Sequence, residues 1–333
     1  MNLVSIQAPA AVVMIRPHRF LPNPQTAADN AFQRTAGNGT PDLPSVSAAA
    51  RDEVTAAAQT LADAGVRVHV FDDRGERDTP DSVFPNNWFS THPGGHIALY
   101  PMYSPNRRRE RRADVIEMLK AEYRVQDVID YSGLEYDDVF LEGTGAMVLD
   151  HVARIAYTAR SRRADPVALE RFCTHFNFEP ICFDTADADG RAIYHTNVMM
   201  SVATEFAMVG LDLIADSRRR GEIAQRLTET GRAVIALDPS QIANFAGNTL
   251  ELSGKDGRVL ALSRRAFDCL TRDQRTVIER SARLLPLDVP TIELAGGSVR
   301  CMLAGIHLAR RAVAPDAISV ESAASLREAM APV

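Results

Sequence analysis

A unit made of one predicted helix followed by one predicted strand occurs five times along this chain of 333 residues. The first unit contains the helical run AARDEVTAAAQTLADAG, which ends at Gly65, a residue type favoured at helix C-termini. The alternating segment VRVHVF follows it and predicts a strand. The five helical runs begin roughly 52 to 59 residues apart while their sequences differ, so the period is structural. Five similar units favour a closed ring.

The other four units keep the same order of helix and strand. They are RRRERRADVIEMLKAEY with RVQDVIDY, PVALERFCTHF with EPICFD, RRRGEIAQRLTETG with RAVIALD, and TRDQRTVIERSARLL with PTIEL. Short apolar runs between them, among them HIALYPM, GAMVLD and RVLALS, predict further strands. We therefore predict an α/β fold in which five units, each with two or three strands beneath one helix, surround a central axis. An open α/β sheet is the alternative.

Composition and cysteine content indicate a soluble protein of the cytoplasm. Hydrophobic residues make up 46% of the chain, enough for a sizeable core, and we expect one domain spanning residues 1–333. The N-terminal residues lack the basic start of a secretory signal, and no apolar run approaches the roughly 20 residues of a membrane helix. The four cysteines are scattered, which fits a reducing compartment: Cys173, Cys182, Cys269 and Cys301.

Charge and motif content argue against nucleic-acid binding and against a bound cofactor. The net charge is -6. The locally basic run NRRRERR, residues 106–112, leads into a helical pattern, and we interpret it as a solvated helix face. No glycine-rich motif for a dinucleotide or a nucleotide phosphate follows a predicted strand. His92 and His96 have no third ligand at a recognisable spacing, so we predict no metal site.

Four segments carry dense polar side chains inside sequence that otherwise resembles strands or strand ends. They are PDSVFPNNWFSTH (residues 80–92), FLEGTG (140–145), IYHTNVMM (193–200) and GGSVRCM (296–302). Each segment belongs to a different predicted unit, so a ring would bring them together at its axis. Their aspartate, asparagines, glutamate, histidine and cysteine form the inventory of a nucleophilic site.

Cys301 is the candidate nucleophile, and the set suits attack on an electrophilic carbon bonded to nitrogen. A thiol is mostly protonated near neutral pH, so it needs a neighbouring cation such as Arg300 or a base such as His195. A carboxylate such as Glu142 can orient that base. Each residue also has a plainer interpretation: Cys301 as a small buried hydrophobic side chain, His195 as a structural histidine, and Glu142 as a turn cap.

Taken together, these segments resemble the guanidino-group modifying superfamily of five-bladed α/β-propellers, the penteins. Within it they are similar to the arginine deiminase-related proteins known as citrulline utilization hydrolases. The matching segments, in family order, are MIRPHRFLPNPQTAADNAFQ, DSVFPNNWFSTH, LEGTGAMVLD, YHTNVMM, FAGNTLEL and GGSVRCMLAGI. The resemblance implies pseudo-fivefold repeated ββαβ-type units around a central active site.

The resemblance also implies roles for individual residues. The nucleophile of the family corresponds to Cys301 and its histidine to His195. The glutamate of the deiminase E-G-G-D motif corresponds to Glu142, but the motif here reads E-G-T-G, so Gly145 replaces its aspartate. Asp81 corresponds to an aspartate that contacts substrate in related dimethylarginine hydrolases.

A cluster of arginines corresponds to the deiminase arginine that holds the substrate carboxylate. Arg163 in the segment SRRAD is the residue we assign to this role. Its neighbours Arg160 and Arg162 are the alternatives. Asn244 and Asn248, in the segment that contains FAGNTLEL, receive no role from the sequence beyond a turn near the pocket mouth.

Two departures from the deiminases indicate the substrate. Deiminases clamp a cationic guanidinium with two aspartates, and those positions here are Asn87 and Asn197. A carboxamide offers one acceptor and two donors without charge, which suits a neutral ureido group. The expected reaction is hydrolysis of L-citrulline to L-ornithine, carbon dioxide and ammonia through a covalent intermediate on Cys301.

Other functions stay open at this level. One alternative is hydrolysis of arginine, which either stops at citrulline or continues to ornithine. The asparagines are compatible with the two-step version, because the site must then hold both a guanidinium and a ureido group. Transfer of an amidino group to an amine needs a site that excludes water. The same fold also serves a ribosome-binding factor that is not an enzyme. We expect a small amino acid as the partner, with no nucleic acid and no membrane, and the sequence is compatible with a homo-oligomer.

Overall fold

Five three-stranded sheets are arranged as the blades of a propeller in the computed structural model, which describes residues 7–34 and 42–312. Within each sheet the first two strands are antiparallel, and a helix then leads to a third strand that is parallel to the second. This ββαβ order recurs in all five sheets, so the predicted α/β-propeller is confirmed. The alternative of one open sheet is wrong.

The fifteen described strands pair as β15-β1-β2, β3-β4-β5, β6-β7-β8, β9-β10-β11 and β12-β13-β14. Their bounds are β1 Ala11–Pro17, β2 Arg67–Asp73, β3 Phe89–His92, β4 His96–Leu99, β5 Asp127–Asp130, β6 Met147–Asp150, β7 Ile155–Ala159, β8 Glu179–Phe183, β9 Met200–Val202, β10 Phe206–Val209, β11 Ala233–Ala236, β12 Leu250–Gly254, β13 Gly257–Ser263, β14 Arg283–Leu287 and β15 Ala304–Gly305.

The α-helices of the described residues are α1 Leu43–Asp63, α2 Ala113–Glu122, α3 Gly143–Ala146, α4 Pro166–Phe176, α5 Ser217–Glu229, α6 Pro239–Ala243, α7 Arg264–Cys269, α8 Arg272–Glu279 and α9 Val299–Met302. Short 3-10 helices span Pro85–Asn87, Arg107–Glu110, Ser132–Asp137, Thr196–Val198, Leu211–Leu213 and Ile292–Ala295. Helices α1, α2, α4, α5 and α8 are the five crossovers between parallel strands. None of the helices in this part of the chain is long and apolar enough to cross a membrane.

The first sheet draws its strands from both ends of the described chain. Strand β15 pairs antiparallel with β1, with Val12 opposite Gly305, and so closes the ring. Contacts of the innermost strands with one another and with Gln7, which precedes β1, tie neighbouring sheets together. Thr91 Oγ1 on β3 donates to the Gly305 carbonyl at 3.0 Å, and Gln7 Nε2 donates to carbonyls on β6 and β9 at 3.0 and 2.8 Å. The five inner strands therefore surround the axis.

Local sequence signals set the ends of the crossover helices. The side chain of Asp165 caps α4, Pro166 occupies its first turn, and Asn177 ends it with a φ of 53°. At α8, Thr271 and Gln274 form a reciprocal capping box. These side chains satisfy backbone groups that a helix end leaves unpaired, and the predicted bounds of α4 and the start of α8 agree with those observed. The end of the fifth unit was predicted wrongly: α8 ends at Glu279, its strand is Arg283–Leu287, and the segment PTIEL leads into a 3-10 helix instead of forming a strand.

Two helices begin elsewhere than the sequence predicts. Helix α1 starts at Leu43, before the predicted helical run AARDEVTAAAQTLADAG, because Asp42 caps it. Helix α2 starts only at Ala113, and the preceding basic run forms a 3-10 turn in which Arg107 and Glu110 are buried. The interpretation of this run as a solvated helix face is therefore wrong: the Arg107 guanidinium points inward to buried carboxylates.

A buried histidine makes stability depend on pH. His92 lies among the rings of Phe172, Phe176 and Phe178, and its Nε2 lies 2.7 Å from Ser90 Oγ. Burial, with smaller repulsion from nearby cations, holds the pKa of His92 well below its ordinary value. The unfolded chain therefore takes up a proton there that the folded chain does not, and this lowers stability as pH falls below about 6.5.

We expect His92→Gln to remove this pH-dependent loss of stability, while the glutamine side chain still offers Ser90 a hydrogen-bond partner. A histidine that stays neutral in the folded state costs about 2 kcal/mol of unfolding free energy at about pH 5. Urea unfolding at pH 7.5 and pH 5 should show a smaller pH-dependent loss in the variant than in the wild type. Equal losses in the two proteins would show that His92 is protonated in the folded state.

Candidate active site

Polar side chains lie at the start of each inner strand, on one end of the propeller axis. A turn or short helix precedes every one of these strands: Pro85–Asn87 before β3, α3 before β6, Thr196–Val198 before β9, the turn at 245–248 before β12, and α9 before β15. These turns carry Asn87, Glu142, Asn197, Asn248 and Cys301. The fivefold repeat thus places one turn from each blade at the same site.

Cys301 is buried on α9, a short helix where the sequence suggested a strand end. Its Sγ accepts from two carboxamides, Asn197 Nδ2 at 3.3 Å and Asn248 Nδ2 at 3.2 Å. No catalytic role for Asn248 could be predicted from the sequence. Burial raises the pKa of the Cys173 thiol to about 12 and that of Cys269 to about 11, so these two sulfurs stay protonated and inert near neutral pH.

His195 is hydrogen bonded to Glu142 through Nε2 and Oε2, 2.8 Å apart. Burial lowers the pKa of His195 to about 4, against the opposing effect of Glu142, so the imidazole is neutral at pH 7. Burial also acts to raise the pKa of Glu142, but Arg163, His195 and Arg107 together hold it below its usual range. The ionised carboxylate therefore accepts the Nε2 proton, and Nδ1 is left as a base.

Gly145 lies against this histidine. A Cβ there would come within 2.9 Å of His195 Nδ1 and would collide with the side-chain amide of Asn87. The close packing explains why this chain has E-G-T-G where deiminases have a fourth-position aspartate. A carboxylate at position 145 would displace Asn87 or His195.

Two buried arginines approach Glu142, each with an Nη1 atom 3.5 Å from its Oε2. Arg163 makes a bidentate pair with Asp29, at 2.9 and 2.5 Å, and lies over the Tyr194 ring. Arg107 makes a bidentate pair with Glu110, at 2.9 and 3.0 Å. The sequence predicted Arg163 at the site but missed Arg107, whose only signal was a glutamate three residues later.

Asn87 and Asp81 both face Arg107. The Asn87 oxygen accepts from the two terminal nitrogens of Arg107 at 3.0 and 3.1 Å, in the orientation that also lets its nitrogen donate to Asn86. Asp81 Oδ2 accepts from Asn23 at 2.8 Å and lies 3.7 Å from Arg107 Nε. Burial raises the pKa of Asp81, with Arg107 opposing the shift.

Two acceptors in the site lack a hydrogen-bond donor among the described residues. They are Asp81 Oδ1 and Asn197 Oδ1, both buried. A buried polar atom without a partner is costly unless a bound molecule satisfies it. The two orphan acceptors therefore mark positions that suit the N–H groups of a ligand.

The N-terminal segment that includes PNPQTAADNAF folds over the site. Asn23 binds Asp81, Asp29 binds Arg163, and Asn30 Nδ2 donates to the Ala295 carbonyl at 3.1 Å. Phe32 packs against Tyr194. In this closed arrangement Asp29 occupies the guanidinium of Arg163, so a substrate carboxylate that bound there would compete with Asp29.

The seven residues that the sequence predicted fall into two contact groups. Cys301 contacts Asn197, His195 contacts Glu142, and Glu142 joins Arg163 to Arg107, which in turn reaches Asn87 and Asp81. Asn244 stays outside, where its side chain donates to the Ser240 carbonyl at 2.9 Å. Over residues 7–34 and 42–312, no three His, Cys, Asp or Glu side chains are grouped so as to hold a metal ion.

The sequence profile of the family described as N,N dimethylarginine dimethylhydrolase, eukaryotic, matches residues 16–308. The chain belongs to this family. It is thus a guanidino-group modifying hydrolase of the pentein superfamily, which acts on non-peptide C–N bonds. No curated protein matches the sequence.

Solved structures with the same fold include arginine-modifying enzymes. The N-terminal domain of ArgZ, an arginine dihydrolase from the ornithine-ammonia cycle in cyanobacteria, is 15% identical with a TM-score of 0.67 over 89% of this chain and 97% of its own. Unliganded AgrE is 16% identical with a TM-score of 0.69, over 91% of this chain and 40% of its own. A dimethylarginine dimethylaminohydrolase in adduct with S-methyl-L-thiocitrulline is 12% identical with a TM-score of 0.59, over 90% and 99%.

Proposed function

We propose that this protein, as one catalytic domain over residues 1–333, hydrolyses the ureido group of L-citrulline to L-ornithine, carbon dioxide and ammonia. One observation carries the proposal: the free acceptor beside the Cys301 sulfur is the amide oxygen of Asn197, not a carboxylate. A neutral acceptor suits the uncharged NH₂ of a ureido group, whereas a guanidinium favours a buried anion.

The charges around Glu142 support the same substrate. In the closed site, its carboxylate already lies between the guanidinium groups of Arg107 and Arg163. Arginine carries a guanidinium in addition to its α-ammonium, and these two protein arginines would repel that second cationic group. Asp81 Oδ1, the other orphan acceptor, suits the α-ammonium of an amino acid. Arg163 suits the α-carboxylate of the same amino acid once Asp29 is displaced.

The reaction proceeds in two steps, transfer of the carbamoyl group to Cys301 and hydrolysis of the S-carbamoyl group. Cys301 Sγ forms a bond to the ureido carbon as the thiol proton passes to His195, and the carbonyl electron pair moves to oxygen. When this intermediate collapses, the bond from the carbon to the side-chain nitrogen breaks, and the imidazolium protonates ornithine as it leaves. Water then gives a proton to His195 as its oxygen bonds to the carbon of the S-carbamoyl group, the C–S bond breaks and the sulfur takes the proton back, and the resulting carbamic acid decomposes to carbon dioxide and ammonia.

Hydrolysis of arginine is the second candidate. Two proteins of similar fold support it: ArgZ is an arginine dihydrolase, and AgrE has been solved in complex with L-arginine. Product analysis separates the two. The purified protein is incubated separately with L-citrulline, L-arginine and Nω,Nω-dimethyl-L-arginine, and ornithine, citrulline and ammonia are measured. Ornithine from citrulline supports the proposal. Citrulline that accumulates from arginine or from its dimethyl derivative, and is not consumed, contradicts it.

A charge change at Asn87 tests the reason given for the substrate preference. Asn87→Asp adds a carboxylate to the buried site, which should favour a guanidinium over a ureido group. We expect the ratio of kcat/KM for arginine to that for citrulline to rise at least about tenfold. Asn244→Asp makes the same substitution outside both contact groups and should leave the ratio unchanged. An unchanged ratio in Asn87→Asp as well would remove Asn87 from the account of specificity.

A further inference from the structure

The side chain of Asn248 forms hydrogen bonds with two atoms of Cys301. Its Nδ2 lies 3.2 Å from the Cys301 sulfur, and its Oδ1 accepts from the Cys301 backbone N–H at 3.4 Å. The same Nδ2 donates to the Asn197 carbonyl at 3.0 Å, and the Asn248 carbonyl accepts from the Arg300 backbone N–H at 3.2 Å. Asn248 is fully buried. A single side chain therefore connects the helix of the nucleophile to the turn that carries Asn197.

The backbone around Asn248 is shaped for this contact. Phe245 adopts a φ of 60°, in the left-handed region that L residues rarely occupy. Gly247 packs so closely on the next blade that a Cβ would come within 2.7 Å of the Val198 carbonyl oxygen and the Met199 backbone. This close approach needs glycine, and it sets the turn of Asn248 directly against the turn of Asn197.

The two carboxamides place their N–H groups on the same sulfur. Asn197 Nδ2 lies 3.3 Å from Sγ, close to the 3.2 Å of Asn248. A neutral sulfur is a weak acceptor, whereas donors aimed at an anionic sulfur act as charge-assisted hydrogen bonds. Nε2 of His195 is committed to Glu142, so it is not available to the sulfur.

We propose that Asn248 is a catalytic residue that stabilises negative charge on the Cys301 sulfur, both when the sulfur attacks and when water displaces it. The inference rests on the proposed function only in taking Cys301 as the nucleophile. It does not depend on which ureido or guanidino compound is the substrate. Asn197 shares the role from the opposite turn and also keeps one free acceptor toward the substrate.

Thiolate formation at Cys301 provides the test, without substrate. Ultraviolet thiolate absorbance is recorded across a pH series as the difference between each protein and the same protein with Cys301→Ala. The variants are Asn248→Leu, which removes all three hydrogen bonds of the side chain, and Asn248→Asp, which keeps its shape but replaces the donor with a carboxylate. Asn244→Leu is the matched control.

We expect the midpoint of thiolate formation to move upward by about one pH unit in Asn248→Leu and further in Asn248→Asp, where a negative charge faces the sulfur. The fraction of thiolate at neutral pH, and with it kcat/KM, should fall about tenfold in Asn248→Leu. Asn244→Leu should match the wild type. A structural role alone would lower activity without moving the midpoint.

Midpoints equal to that of the wild type in both Asn248 variants would overturn the inference, even if turnover falls. If Asn248→Leu does not fold, Asn248→Asp supplies the same readout with a side chain of the same shape. Shifted midpoints in a protein that leaves citrulline untouched would support the role of Asn248 and refute the proposed substrate. The two claims therefore fail separately.

Discussion

Cys301→Ala should lower turnover of citrulline by at least about 10⁴-fold, because no other described sulfur is placed to replace the nucleophile. The fold should survive, since the substitution removes one small buried atom and costs on the order of 1 kcal/mol. Steady-state ornithine formation and urea unfolding measure the two quantities.

The matched control is Cys173→Ala. Cys173 is also buried, but it lies on α4 among apolar side chains, and burial raises the pKa of its thiol to about 12. This variant should show a similar loss of stability with unchanged turnover. If Cys301→Ala kept turnover near that of Cys173→Ala, covalent catalysis by Cys301 would be refuted.

Glu142→Gln should reduce both turnover and stability. The carboxylate fixes the tautomer of His195 and is the anion shared by Arg107 and Arg163. A neutral amide loses the orientation of the base, for which we expect turnover to fall about 10³-fold. It also leaves part of the buried guanidinium charge uncompensated, which should lower the free energy of unfolding by about 3 kcal/mol.

Glu135→Gln is the control for a carboxylate paired with arginine away from the nucleophile. Glu135 makes a bidentate pair with Arg111, at 2.6 and 3.0 Å, and accepts from the Met102 backbone. We expect it to lose stability and keep turnover. Turnover within tenfold of the wild type in Glu142→Gln would show that His195 does not depend on this carboxylate.

The fold could be predicted because its evidence is local and repeated. Each crossover helix carries its own apolar face, and several carry their own caps, as Asp165 does for α4 and Thr271 for α8. Five such units at a regular period leave few arrangements other than a ring. Closure by β15 on β1 could not be predicted from pattern, since a two-residue strand has no periodicity.

Only part of the candidate site could be predicted from the sequence. Cys301, His195 and Glu142 lie in distinctive segments, so their chemical roles could be predicted from the sequence without knowing their positions in the fold. Arg107 was missed because a basic run is usually solvated, and its partner carboxylates are supplied by other segments. Asn248 was missed because its role depends on its contact with the Cys301 sulfur, and that contact is formed only in the folded structure.

The covalent intermediate gives the most direct test of the account. The wild type is mixed with L-citrulline, quenched in acid within the first turnovers, digested and analysed by mass spectrometry, with Cys301→Ala treated identically. We expect the peptide containing Cys301 to gain the mass of a carbamoyl group, while the peptides of Cys173, Cys182 and Cys269 gain nothing. Steady conversion of citrulline to ornithine with no adduct on Cys301, or with the adduct on another cysteine, would contradict it.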